Sequence, residues 1–407
     1  MDTLQKLAVA AGESIFEAEE GDIPWLASRS PTTLCGWTDK ELKELYGQRS
    51  PADIVRAKGH PIPIHLAAVP GGRRFPLLKV MLTTACERNC HYCPFQAGRN
   101  HRRVTFKPDE LAQVVMRAHR AGWIQGVFLS TGLFNGGANT QNKLLDTAEI
   151  LRTKLEYRGY LHIKLMPGAE FGQVARAMEL ADRVSTNLEA PNTRRLESLA
   201  PQKDFENELL APLRWAEQVR TSRPSYHGWQ GRWPSTSTQF VVGPAGETDV
   251  ELLSTVDRLY QRLRLKRVYF EAFSPVEGTP FESKPPENPV RQQRLYEASF
   301  LLRDYGFSLE ELPFTTDGAL PLDEDPKRAY ANQVLREAPV ELNKAERELL
   351  VRVPGIGPLT ADKLLALRRQ GRLHDIDQLR ARRLITDRSA PYISVDGQRP
   401  AFQQKLL

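Results

Sequence analysis

Residues 81–98 read MLTTACERNCHYCPFQAG and hold three of the chain's four cysteines, Cys86, Cys90 and Cys93. The run just before them, PLLKVMLTT at 76–84, has the length and apolar character of a buried strand. The thiols therefore sit in the loop that leaves the first strand of the sheet. Downstream the pattern alternates. PDELAQVVMRAHRAGW (108–123) spaces its apolar residues as a helix face would, and VFLSTG (127–132) reads as a strand. A helix through KLLDTAEILRTKLEYRG, a strand in LHIKLMPG, a helix in FGQVARAMELA and a strand in RVSTNLEAP continue the series. TSTQFVVGP, a helix in TDVELLSTVDRLYQRL and KRVYFEAFSP complete it. Six strands alternating with helices imply an α/β chain with a parallel sheet and right-handed crossovers, either a barrel or an open arc. In such a fold ligands bind at the C-terminal ends of the strands, where the thiols are expected.

The cysteine spacing is C-x3-C-x2-C, with Tyr92 immediately before the third. Structural zinc takes four ligands from paired knuckles, and His91, between Cys90 and Cys93, is poorly placed to join them. Three thiolates from one loop suit three corners of a [4Fe-4S] cube and leave the fourth iron open to chemistry. The remaining cysteine, Cys35, is too little for a second cluster. A hydrogen-atom donor or methyl acceptor is one role for it, and simple burial is the commoner fate of a lone Cys.

Near the C-terminus, LLVRVPGIGPLTADKLLALRR (349–369) sets two helical stretches around a Pro-Gly-Ile-Gly turn, the helix-hairpin-helix pattern. Gly355 and Gly357 let backbone N–H groups approach a phosphate at the start of the second helix. Thr360 and Lys363 lie in its first turns, and Arg368 and Arg369 extend the positive surface. The chain has 407 residues and a net charge of +6; residues 341–407 alone hold 13 basic and 8 acidic residues, a surplus of five. That charge suits a polyanion bound through its backbone, with strong salt dependence.

The cysteine loop resembles the radical S-adenosylmethionine superfamily, whose members carry C-x3-C-x-aromatic-C after the first strand of a partial (β/α)6 barrel. The resemblance implies that Cys86, Cys90 and Cys93 bind a [4Fe-4S] cluster, that the methionyl group of S-adenosylmethionine chelates its open iron, and that reductive cleavage yields a 5′-deoxyadenosyl radical. It places Tyr92 beside the adenine, Ser130, Thr131 and Gly132 at the methionyl amine, and Asn187 and Glu189 at ribose or carboxylate. The turn in VVGPAGET (241–248) would pass near adenine. An electron donor such as flavodoxin or ferredoxin is implied as a partner. PLLKVMLTTAC, STQFVVG, LYQRLRLKRVYFEAFSPV, RLYEASFLLRDYGF, LDEDPK, NKAERELLVRVPGIG and ALRRQGRL further resemble a group within that superfamily described as DNA modification or repair proteins. This implies action on a nucleic acid, a DNA base rather than RNA. Two rivals stand beside it: the same chemistry on a small molecule or protein, and a non-catalytic nucleic-acid-binding protein whose metal loop is structural.

These readings divide the chain into an N-terminal helical or irregular extension (1–75), a partial TIM-like barrel (76–312), a connector (313–340) and a small all-α helix-hairpin-helix module (341–407). On the sixth strand Tyr269, Glu271 and Phe273 alternate on one face, which makes Tyr269 and Glu271 candidates for substrate contact. The acidic residues of LDEDPK cap a site or, more simply, a helix. In SRPSYHGWQGRWPS (222–235), Tyr226, Trp229 and Trp233 stack on bases or anchor a long loop. The opening MDTLQKLAVAAGESIFEAEEGD reads as an amphipathic helix, not a signal peptide, and no stretch approaches a membrane span. Few, clustered cysteines point to the cytoplasm and exclude a disulfide framework.

Overall fold

The computed structural model describes Lys6, residues 64–68 and residues 74–401. Cys35 and almost all of the N-terminal extension lie outside the described residues. A seven-stranded sheet runs in the order of the chain, β1 (His65–Ala68), β2 (Arg74–Met81), β3 (Gly126–Ser130), β4 (Tyr160–Lys164), β5 (Arg183–Ser185), β6 (Ser235–Val242) and β7 (Arg267–Ala272). All pairs from β2 to β7 are parallel, as six alternating strands require, and β1 alone runs antiparallel, on β2. Reading residues 1–75 as a helical or irregular extension missed β1. Its Ala67 packs with Leu77 and Phe128, and the rings of Phe75 and Tyr160 lie against them, so apolar contact outweighs the flanking breakers.

Between the strands run α1 (Pro108–Arg120), α2 (Gly137–Glu149), α3 (Phe171–Leu180), α4 (Thr193–Leu199), α5 (Ala211–Ser222) and α6 (Asp249–Leu263). A π-helical turn, Ile150–Lys154, extends α2. Alternation along each strand decides what faces what. Leu78, Val80, Val127, Leu129, Leu161, Ile163 and Val184 pack with Leu111, Val115, Leu144, Val174 and Met178 of the helices in one core. The intervening residues include Lys79, Ser130, His162, Lys164 and Ser185, all buried and polar. His162 stacks on Phe128, with centroids 4.1 Å apart, and its Nε2 lies 2.8 Å from Ser185 Oγ. One face of the sheet is thus an apolar support and the other a polar interior.

The sequence pattern assigns no element to 193–222. Helices α4 and α5 form there, α4 capped by Asn192, whose side chain accepts from the Arg195 amide. The Trp-rich loop that follows enters β6 from its N-terminal end, opposite to the strand ends that leave toward the cysteines. Trp229 lies over the Arg152 guanidinium at 3.9 Å, and Trp233 donates its indole N–H to the Arg223 carbonyl. These two are anchors. Tyr226 is exposed, its ring against His227.

By their contacts the described residues form two compact units. The first ends at Glu247 and takes up Arg262–Glu287; the second joins Thr248–Gln261 to the chain from Asn288 onward. In the second unit, α7 (Pro289–Asp304) precedes α8 (Pro326–Val334), whose N-cap is Asp325, accepting from the Arg328 amide at 2.9 Å. The acidic LDEDPK segment is therefore a helix cap. Further on come α9 (Arg347–Leu350), α10 (Pro358–Gln370) and α11 (Ile376–Ala381). The expected all-α module also holds a short parallel ladder between β8 (Val340–Glu341) and β9 (Ile393–Ser394). Val340 and Ile393 are buried in the unit's core, and that apolar pairing draws the extended backbones together.

Lys327 of α8 donates to the Ile356 carbonyl at 2.6 Å and lies 4.6 Å from the Tyr305 ring. Burial brings its amine down to about 7; Asp325 resists this, while Arg388 and Arg352 add to it. Between pH 7 and the ordinary lysine value the unfolded chain therefore binds the extra proton, and stability gains with rising pH. Urea titrations should show the wild-type chain gaining on Lys327→Met from pH 7 to pH 9, on the order of 1 kcal/mol per pH unit. Parallel pH profiles for the two proteins would rule this out.

Candidate active site

Each parallel strand delivers residues to one cavity at its C-terminal end. Met81 comes from β2, Thr131 and Gly132 from just beyond β3, Lys164 from β4, Asn187 and Glu189 from beyond β5, Gln239 and Val241 from β6, and Glu271 with Phe273 from the end of β7. The cavity measures ≈360 Å³, and Cys86, Cys90, Tyr92 and Cys93 line it too. Of the residues expected at the cofactor, the structure thus brings together the three cysteines, Tyr92, Thr131, Gly132, Asn187 and Glu189. Ser130 is buried beside them without lining the cavity; among the described residues its hydroxyl has no hydrogen-bond partner.

Glu189 is the electrostatic centre. It is 4% exposed and holds a φ of +64°. Its backbone accepts from the Val241 amide at 2.8 Å and donates to the Gln239 carbonyl at 3.0 Å, which fixes this unusual geometry against β6. One carboxylate oxygen receives the Lys203 ammonium at 2.9 Å. The other, Oε2, is buried with no hydrogen-bond donor in close geometry among the described residues, although the Tyr92 hydroxyl lies near enough to the carboxylate to help lower its pKa. Burial alone would raise the carboxyl's pKa, but Lys203 and Lys164 outweigh it and hold it below the usual range. Burial would in turn lower Lys203; the neighbouring Cys90 and Glu189 keep it raised and charged. Burial pushes the Cys90 and Cys93 thiols up, Lys203 opposing this at both. Lys203, from the turn after α4, is a site residue that the sequence pattern did not mark, because a single Lys in APQKDFENE carries no motif.

The loop between Met81 and Phe95 is closely tied. Gly132 donates to the Thr83 carbonyl at 2.7 Å, and a Cβ there would lie 2.2 Å from the Ala85 carbonyl oxygen. Its glycine is required by this backbone approach. His91 lies with Nδ1 2.9 Å from the Ser198 carbonyl oxygen, and its ring meets Phe281 edge-on. It braces the loop. Among the described residues no three His, Cys, Asp or Glu side chains converge on one ion. A polynuclear cluster makes no such demand, since each thiolate takes a different corner. Three thiols around a cavity that also presents this buried carboxylate oxygen fit a cluster with a polar cofactor beside it.

Other expectations need correction. Tyr269 is buried, 2% exposed, and its hydroxyl accepts from Arg183 at 2.9 Å inside the sheet's polar face, whereas Glu271 and Phe273 reach the cavity. The shorter distance to the strand end explains the split. The 243–246 turn lines a separate surface groove with Ser198 and Lys284, so it does not flank this cavity. In the second unit Gly355, exposed, has a φ of +86°, and a Cβ would lie 2.8 Å from Thr386 Oγ1. Gly357 is the N-cap of α10 with no side chain capping it. Lys363 and Arg369 are exposed and Thr360 is half-buried. Arg368 instead donates to the Ala345 and Leu342 carbonyls at 2.6 and 3.3 Å, an internal brace and not part of a free positive surface.

Residues 80–259 match the family model described as the Radical SAM superfamily. None of the curated proteins matches the chain. Among solved structures, the chain is similar to the FeFe-hydrogenase maturase HydG from Carboxydothermus hydrogenoformans, with 15% identity over 56% of this chain and 51% of that one, at a TM-score of 0.44. It is also similar to methylornithine synthase (PylB), with 16% identity over 72% of this chain and 77% of that one, at a TM-score of 0.45. The chain thus spans about half the length of that maturase. Residues 80–259 are a radical SAM domain. The superfamily that this domain belongs to works with a [4Fe-4S] cluster and S-adenosylmethionine. Among the described residues no helix is long and apolar enough to cross a membrane.

Removing the Lys203 charge leaves Glu189 buried without its paired cation, a change that costs about 3–5 kcal/mol. Lys203→Met should lower stability by that order in urea denaturation. Adding Glu189→Gln should recover part of the loss, and strictly additive effects would show that the pair is not coupled.

Proposed function

We propose that this chain modifies or repairs a nucleic acid, a DNA base rather than RNA, in the cytoplasm. The observation that carries the initiating chemistry is the single cavity where Cys86, Cys90 and Cys93 meet Glu189 and its buried Oε2. The three cysteines hold the cluster. With these residues holding them, the cluster and S-adenosylmethionine would supply the radical chemistry that removes a substrate hydrogen. Thr131, Asn187 and Glu189 offer hydroxyl, amide and carboxylate groups to the cofactor's polar edge, and Tyr92 lines the same wall. Lys203 keeps Glu189 ionised and fixes its orientation. Glu271 and Phe273, on the last strand, stand where a substrate would meet the cavity. Flavodoxin or ferredoxin is the expected electron donor.

The nucleic-acid assignment is supported by the second unit. The Gly355–Gly357 turn opens onto α10, whose leading amides lack a side-chain cap, and Lys363 and Arg369 are exposed on that helix. Such an end attracts a phosphate through its free N–H groups and dipole. Contacts of this type read the backbone and not the sequence.

Anaerobic reconstitution should give a [4Fe-4S] spectrum and, with a reductant, 5′-deoxyadenosine. With oligonucleotides deuterated in their bases, deuterium should appear in the 5′-deoxyadenosine. Cofactor cleavage without transfer from any oligonucleotide would turn the assignment toward a small-molecule or protein substrate. Binding of duplex DNA to the full chain should weaken steeply with salt, and Lys363→Ala with Arg369→Ala should lower the logarithmic salt slope by roughly 2. An unchanged slope would remove those two side chains from the interface.

A further inference from the structure

Arg103 lies ten residues beyond the last cysteine of the loop, after the run GRNHR. Its guanidinium is folded into the loop's interior. Nη1 donates to the carbonyls of Thr84 at 2.6 Å and Phe95 at 2.8 Å, and Nη2 to those of Gln96 at 2.9 Å and Arg99 at 3.4 Å. Thr84 lies just before the first cysteine, and Phe95 and Gln96 just after the third. One planar group therefore closes both ends of the segment that carries Cys86, Cys90 and Cys93.

The closure continues around it. The Val104 amide donates to Thr84 Oγ1 at 2.9 Å, and the Thr84 amide to the Val104 carbonyl at 2.9 Å. Across the loop the Ala97 amide donates to the Arg88 carbonyl at 2.7 Å. Arg99 binds the Pro94 and Glu277 carbonyls at 2.8 and 3.0 Å, and Gln96 Nε2 binds the Gly278 carbonyl at 3.1 Å. The Thr84–Val104 pair ties the segment before the cysteines to the residue after Arg103, and the Arg103 side chain joins Thr84 directly to Phe95 and Gln96 at the far end of the loop.

We propose that Arg103 is a positioning residue, holding the cysteine loop in its cluster-binding shape before any cluster is present. This rests on the assignment of the three cysteines above. The geometry selects arginine. Four acceptors lie around two nitrogens of one rigid fork, and a lysine ammonium, with three donors on a flexible stem, cannot span them. The bonds are charge-assisted, so breaking them frees carbonyls whose only recourse is water, and the loop opens. With Arg103 in place Cys90 is shielded, 6% exposed.

The test uses the full-length chain without metal. Alkylation of Cys86, Cys90 and Cys93 by iodoacetamide, followed by peptide mass spectrometry, should be slow at Cys90 and at least tenfold faster in Arg103→Gln. Thermal melting should change little, since neither core depends on Arg103. Arg103→Lys should fall between the two, and millimolar guanidinium should restore slow alkylation in Arg103→Ala but leave Arg103→Lys unmoved. On anaerobic reconstitution, Arg103→Gln should take up less than half the wild-type iron and sulfide. Wild-type protection of Cys90 in Arg103→Gln, or full cluster uptake, overturns the proposal. If Arg103→Gln does not fold, the guanidinium series and Arg103→Lys decide, and absence of rescue in Arg103→Ala then counts against it. A wild-type chain that binds no cluster would instead defeat the cysteine assignment, an outcome the alkylation kinetics keep separate.

Discussion

A carboxylate buried at the end of a parallel strand must be matched by a cation, and the rest of this site is arranged around that requirement. Glu189 is held by β6 on both sides of its peptide unit, in a backbone conformation that a side chain adopts only when neighbours impose it. Lys203 reaches it from a different segment, which must therefore fold back over the strand ends. Helix α4 and the turn after it accomplish this. Positioning of the ammonium beside both the carboxylate and Cys90 follows from how that segment packs, so the charge balance of the cavity and the fold of 193–210 are one constraint seen at two scales.

What could be read in advance was whatever has a period or a fixed spacing. The parallel strands stand out because one face of each is apolar, as in Leu78 and Val80 or Leu161 and Ile163, and the cysteine loop stands out by its arithmetic. Lys203 had neither signal. Its role arises from a contact with a residue fourteen positions away that only tertiary structure creates. Strand β1 was hidden for a related reason: four residues between prolines and glycines look like a joint until Leu77 and Phe128 supply a surface for Ala67. Arg368 shows the opposite error. A cation beside another on a basic helix invites a surface reading, yet two carbonyls left open near Leu342 and Ala345 claim it.

Glycine illustrates how the same residue type serves different ends. Gly132 ends a small polar run that suits a ligand, but its lack of a side chain is demanded by the Ala85 carbonyl, so the strand-end turn and the cysteine loop are locked together by contact. Gly355 has the same dependence on space, next to Thr386, and additionally a left-handed backbone that other residues resist. At both positions it is packing that requires glycine.

The electrostatics of the thiols link folding to loading. Burial raises Cys90 and Cys93 and so disfavours their thiolates in the metal-free chain. A cluster takes thiolates, and its binding must therefore release protons, which makes uptake favour higher pH. Lys203 moderates this cost by placing a positive charge beside Cys90 in advance. The same ammonium serves Glu189, with Lys164 a second cation on the cavity wall, so the cavity can hold a carboxylate and an anionic metal centre side by side.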